Sequence, residues 1–201
     1  MKAVVKQVEF PAGRRILVIS DIHGNLPWFQ ALLAKAGFSR EDILVLVGDL
    51  VEKGRDSLAT LRYIMELSAT HTVYALCGNC DNLAVDFIYG NGELGRDFYR
   101  FYLSVWGERA LILQMAAEAG MEVRGPGDLP GLRMLLLERF RSELEFLRSL
   151  PTILESEHLV FVHGGVPSYA HMEELDAWQC MKNDDFLGQG RVFPKYCVVG
   201  H

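Results

Sequence analysis

An α/β domain carrying a helical insertion is what this sequence predicts, and three patterns carry the prediction. Short apolar, β-branched runs recur at residues 15–19, Ile43–Val47 and Thr72–Leu76. Each reads as a strand buried on both faces, because no polar residue alternates within it. Between the runs, Leu26, Phe29, Leu32, Leu33 and Ala36 share one helical face, as do Leu58, Leu61 and Met65. Asn25 is the expected cap of the first helix, and Asp56 or Ser57 that of the second. Strand, helix, strand, helix, strand specifies a parallel sheet with right-handed crossovers.

Residues 81–150 are helical in pattern, broken at Gly90-Asn91-Gly92 and across residues 125–131. The stripe Leu132, Leu136, Phe140, Leu144, Leu147 predicts one long amphipathic helix. Residues 152–155 and Leu159–Val162 then read as a hairpin turning near Ser156-Glu157, and Tyr196–Val199 as a last strand. With no internal repeat or low-complexity linker, residues 1–201 form one domain, its insertion expected to overhang the strand ends as a cap. The aromatics Phe98, Tyr99, Phe101, Tyr102 and Trp106 either line a base pocket there or pack against the domain.

Composition excludes several classes. A chain of 201 residues can bury one sizeable core. Its formal net charge of -6, with no basic stretch to offset it, argues against a nucleic-acid polymer as partner. An anionic substrate is still compatible, because bound divalent metals would reverse the local field. Residues 1–15 lack an apolar leader core, and no apolar run approaches the roughly 20 residues of a membrane helix. A cytoplasmic protein is expected; the sequence is silent on oligomeric state. Cys77-Gly78-Asn79-Cys80 has C-x-x-C spacing, but Cys180 and Cys197 form no second close pair for zinc. Cys77 is better placed as a strand end and Cys80 as the neighbour of a metal ligand.

The chemistry sits where the strands end. The first run leads into Ser20-Asp21-Ile22-His23-Gly24-Asn25, the second into Gly48-Asp49-Leu50-Val51-Glu52-Lys53-Gly54, and the third into Gly78-Asn79-Cys80-Asp81. The hairpin delivers His163-Gly164-Gly165 and the last strand Gly200-His201. Singly, each has an ordinary explanation as a helix cap or a turn. Together they place Asp, Asn or His beside Gly at five strand ends, where α/β sheets build their sites. Carboxylate, amide and imidazole ligands suit manganese, iron or zinc. A carboxylate can bridge two such ions about 3.5–4 Å apart.

These clusters resemble the calcineurin-like metallophosphoesterase superfamily, in its phosphoprotein phosphatase branch, whose signatures are D-x-H-G, G-D-x-V-D-R-G, G-N-H-E, H-G-G and a late Gly-His. Bacterial members of that branch include protein serine/threonine phosphatases and symmetrical diadenosine tetraphosphatases, and Gly54-Arg55-Asp56-Ser57-Leu58 resembles their G-P-x-S-L. The resemblance implies a metallophosphoesterase sandwich and two divalent metal ions, manganese first among the candidates. Asp21 and His23 would hold the first ion, Asp49 would bridge, and Asn79, His163 and His201 would complete the second. The implied reaction is in-line attack of a metal-activated hydroxide on phosphorus, with Lys53 and Asn79 contacting the phosphoryl group. Asp49, Cys80 and Glu52 are the implied catalytic set.

Three departures from the family pattern stand out. Lys53 replaces an Arg and loses its fork. Glu52 replaces the Asp that backs a catalytic His, and Cys80 replaces that His. Gly78-Asn79-Cys80-Asp81 is similar instead to small phosphodiesterases of the superfamily. Members also continue past the late Gly-His, so the last strands are expected to lie beyond residue 201. The leading expectation is a phosphomonoesterase of the serine/threonine phosphatase type, acting on a phosphoprotein, nucleotide or small phosphoester. Hydrolysis of dinucleoside polyphosphates or small phosphodiesters is the alternative. A metal-binding protein that has lost turnover is a third reading.

Overall fold

The computed structural model describes residues 1–90, 102–190 and 192–201. After a short strand β1 (Val5–Gln7), the chain lays down β2 (Ile16–Ile19), β3 (Ile43–Val47) and β4 (Thr72–Leu76) as a parallel sheet. Helices α1 (Leu26–Ala36) and α2 (Ser57–Thr70) make the crossovers. Further along, β5 (Ile153–Glu155), β6 (Leu159–Val162) and β7 (Tyr196–Val199) join β1 in a second sheet of order β1-β5-β6-β7. The hairpin β5-β6 is antiparallel, and β1-β5 and β6-β7 are parallel.

Why β3 carries no polar residue is clear from its surroundings, since all five of its residues are 0% exposed. Successive side chains leave a strand on opposite faces. Ile43, Val45 and Val47 therefore meet Leu154 and Phe161 of the second sheet, whereas Leu44 and Leu46 meet the helices. The sheets thus pack face to face as a sandwich, with helices covering the outer face of the parallel sheet. Strand β1 escapes a sequence reading because three residues are too few to display a period. Its register, Val5 opposite Ile153, is supplied by β5.

The insertion begins with α3 (Asn79–Tyr89) and includes α4 (Leu111–Glu118), α5 (Leu129–Arg139) and α6 (Arg141–Ser149). Phe98, Tyr99 and Phe101 lie outside the described residues. The one long helix expected from the stripe is two, broken at Phe140 with φ -125° and ψ 30°. Geometry explains the break. At 3.6 residues per turn, each step of four drifts about 40° around the axis, so a straight helix would carry this stripe off its face. The bend restores it, and Leu132, Leu136, Phe140, Leu144 and Leu147 all enter the same core as Leu61 and Ile64. Arg62 of α2 secures the bend, with Nε 2.9 Å from Glu143 Oε1 and its other nitrogens on Glu118.

Asn25 and Asp56 stand at the expected cap positions without a side-chain capping bond. Asn25 Nδ2 instead donates to the carbonyls of Ile22 and His23, at 2.9 and 3.1 Å. Ser57 Oγ accepts from Glu52 N at 2.9 Å. Both side chains serve the loops at the strand ends rather than the helices behind them. No helix among the described residues is long and apolar enough to cross a membrane.

Phe161 is the test of the sandwich, being fully buried between the sheets with Phe10 edge-on at 5.9 Å. Phe161→Ala should destabilise the protein by about 3–5 kcal/mol, read from urea unfolding. A loss below about 1 kcal/mol would mean that the sheets are held together elsewhere.

Candidate metal centre

The loops that follow β2 and β3, and the chain end after β7, are bent into an unusual backbone conformation. Asp21, His23, Asp49, Glu52, Lys53 and His201 all have φ between 41° and 72°. Among the described residues only one other non-glycine, His171, does so. Left-handed backbone at such residues costs on the order of 1–3 kcal/mol each, and persists only where the surroundings impose it.

The glycines explain how the loops come so close. A Cβ on Gly48 would lie 2.8 Å from both the Gly78 backbone and His163 Nδ1. One on Gly78 would collide with the backbone and carboxylate of Asp49. The ends of β3, β4 and β6 can therefore converge only because these two positions lack side chains.

At the point of convergence lies Asp49, 1% exposed. Its Oδ1 accepts from Cys80 N at 2.8 Å. His163 Nε2 is 3.4 Å from Oδ1, and His23 Nε2 is 3.5 Å from Oδ2. His163 Nδ1 donates to Val47 O at 2.7 Å, which fixes the neutral ring with an unprotonated Nε2. That buried nitrogen has no hydrogen-bond partner, and neither does the buried Oδ1 of Asn79. Lone pairs from imidazole and carboxylate thus face one another out of water, an arrangement that a proton or a metal ion must relieve. Burial alone would push the His163 pKa down, but Asp49 and the Val47 carbonyl outweigh it and the shift is upward. Burial likewise opposes ionisation of Asp49, yet His163 and the Cys80 N–H hold its carboxyl below the usual range.

Two ligand triads share this carboxylate. Donor atoms of His23, Asp49 and Cys80 lie within 4.8 Å of one another, and so do those of Asp49, His163 and His201. Asp21 Oδ1 is 3.6 Å from His23 Nε2. Lys53 Nζ approaches that same nitrogen at 3.1 Å. On the other side, His201 packs edge-on to His163 with ring centroids 5.2 Å apart. Its Nε2 is engaged by Asp184 Oδ1 at 2.7 Å and Lys182 Nζ at 2.9 Å. Lys182 and Asp184 went unnoticed in the sequence because they follow the short helix α7 (Ala177–Met181), not a strand.

The sequence pattern of the calcineurin-like phosphoesterases matches residues 14–201. The chain belongs to this family. A symmetrical bis(5'-nucleosyl)-tetraphosphatase of Hamiltonella defensa is 27% identical over 188 residues, 92% of this chain and 55% of that one. Serine/threonine-protein phosphatase 1 of Salmonella typhimurium is 33% identical over 84 residues, covering 41% of this chain and 37% of its own. The chain thus spans about half, or less, of the curated relatives it matches. A crystal structure of a candidate diadenosine tetraphosphatase shares the fold, with TM-score 0.61 and 20% identity over 99% of this chain and 79% of that one.

Two buried acids tie the loops of this calcineurin-like phosphoesterase together. Asp81 accepts from Leu50 N and Val51 N at 2.9 and 3.1 Å, and from Gly78 N at 2.9 Å. It thereby staples the Asp49 loop to the Asn79 loop. Burial and the nearby Asp49 push its pKa up, while the Gly78 and Val51 N–H groups and His163 oppose them. Glu52, fully buried, stands where the resemblance expects a carboxylate backing position 80. Its carboxylate accepts from Tyr102 Oη and from Leu111 N, the latter at 2.9 Å, and so faces the helical insertion.

Burial pushes the Glu52 pKa up to about 8 against the pull of those two donors. A carboxyl raised from 4.5 holds its proton more tightly when folded. Its contribution to stability is therefore complete below about pH 4.5 and is lost as the pH rises to about 8. Glu52→Gln, which carries no charge, should gain on the wild type by on the order of 2–4 kcal/mol between pH 5 and 8. Paired urea titrations of the metal-free proteins measure this; a constant difference would place the charge of Glu52 in a solvated setting.

Proposed function

We propose that this chain is a two-metal phosphoesterase whose substrates are dinucleoside polyphosphates. Asp21, His23 and Asp49 would hold one divalent ion, and Asp49, Asn79, His163 and His201 the other. The observation that carries the reading is the Asp49 carboxylate shared by two ligand triads, with the neighbouring His163 Nε2 and Asn79 Oδ1 buried and unpartnered. Bound there, the cations supply Lewis-acid polarisation of phosphoryl oxygens and activation of a water.

The chain's own residues do the rest. Asp49 fixes the spacing of the centre, and the Val47 carbonyl locks the His163 tautomer. The Lys53 ammonium, beside His23, is placed to orient a non-bridging phosphoryl oxygen. Lys53→Ala should raise KM about 10-fold with a smaller effect on kcat, since a lost exposed charge weakens binding in ground and transition states alike.

Two considerations favour an anhydride substrate over a phosphoprotein. The tetraphosphatase relative aligns with nearly the whole chain, the serine/threonine phosphatase with 41% of it. Leaving-group chemistry agrees. A phosphate leaving group with a pKa near 6 needs no proton, whereas a serine alkoxide does. Cys80 offers only a weak sulfur donor at the position of the family's acid. A cytoplasmic location accompanies this reading, since the thiols of Cys77, Cys80, Cys180 and Cys197 are free.

Chelation should abolish hydrolysis, and manganese should restore it better than magnesium, because imidazole prefers the later metals. Asp49→Asn should bind fewer than two ions per chain by metal analysis and lose activity. With manganese added, kcat/KM for diadenosine tetraphosphate should exceed that for a phosphoserine peptide by about 10²-fold or more. The reverse order would favour the protein phosphatase reading. Tight metal binding without turnover of either substrate would leave a metal-binding protein.

A further inference from the structure

Cys80 occupies a place that a packing or acid role leaves unexplained. Its side chain is 2% exposed, at the second position of α3. Its sulfur lies within 4.8 Å of the donor atoms of both His23 and Asp49. One cation set among the three donor atoms would satisfy all of them. Asn79 Nδ2 donates to the sulfur at 3.4 Å, as an N–H does to a ligating thiolate, while its buried Oδ1 is left without a partner.

We infer that Cys80 Sγ is a ligand of the cation held by His23 and Asp49, so that one half of the centre is thiolate-bound. This rests on the two-metal reading above. The balance is simple: the divalent ion takes a sulfur lone pair as the thiol releases its proton to solvent, with no change of oxidation state. The two halves then differ in softness. The His23–Asp49–Cys80 half selects zinc, iron or cobalt over manganese and magnesium, while the Asp49–Asn79–His163–His201 half, without sulfur, discriminates less. Cys80 is thereby withdrawn from proton donation to the leaving group.

Cobalt(II) alone is the probe. Titrated into the metal-free chain, it should produce a near-ultraviolet sulfur-to-cobalt charge-transfer band. Cys80→Ser should abolish the band while cobalt remains bound to the sulfur-free half. Cys77→Ser should keep it, because the Cys77 thiol is turned to the Gly78 carbonyl at 3.5 Å. Cobalt bound without the band, or a band surviving in Cys80→Ser, overturns the inference and leaves the two-metal reading intact. Failure to bind cobalt at all overturns both. A measurement on the unaltered chain guards against a variant that does not fold. X-ray absorption of the zinc-loaded protein should show about half a sulfur per zinc at about 2.3 Å, one among two ions. A shell of nitrogen and oxygen alone overturns it. In competition, Cys80→Ser should weaken zinc binding at least about 10-fold more than manganese binding.

Discussion

A buried carboxylate facing two imidazole nitrogens is the constraint around which this fold is arranged. Asp49 is removed from water, with His163 Nε2 on one oxygen and His23 Nε2 near the other. Left alone, such a cluster disfavours the folded state, because buried lone pairs confront one another. Much else follows from tolerating it. The second sheet is needed to bring His163 to the end of β3, and Gly48 and Gly78 are needed so that the loops can touch. Three N–H donors converge on Asp81 to keep both loops in register. Divalent ions would turn the same cluster from a liability into the most strongly held part of the molecule.

The left-handed residues tell the same story from the backbone. Strain at Asp21, His23, Asp49, Glu52 and Lys53 is concentrated in two loops, both leaving the parallel sheet at its carboxyl edge. Regular packing behind the loops, above all the fully buried β3, supplies the stability that holds them there. The -6 net charge fits as well, since the acids at the centre would be neutralised by cations.

Much of this was legible in the sequence, for a physical reason. A strand buried on both faces must be an unbroken apolar run, and the polar residues that interrupt it mark its end. Among β2, β3, β4, β6 and β7 only β3 is buried throughout; the others are buried less completely, with Val18 of β2 exposed at the edge of its sheet. Their apolar runs could still be read, with the candidates Asp21, Asp49, Asn79, His163 and His201 behind them. What escaped depends on tertiary geometry. Strand β1 is too short to show a period and takes its register from β5. The break at Phe140 follows from drift along the stripe, which the list of apolar positions conceals. Lys182 and Asp184 reach His201 from a loop that no local pattern distinguishes. Glu52 was legible as a departure, but its partners Tyr102 and Leu111 lie 50 and 59 positions away.

That link between Glu52 and the insertion bears on how such proteins can be recombined. The insertion is not an independent module resting on the phosphoesterase core. Its Tyr102 hydroxyl and Leu111 amide complete the hydrogen bonding of an acid that belongs to the loop after β3. Without those two donors the Glu52 carboxyl would be left unsatisfied, inside the protein and three residues from Asp49. Exchange of the insertion in this scaffold therefore has to carry position 52 along with it, as a matched pair.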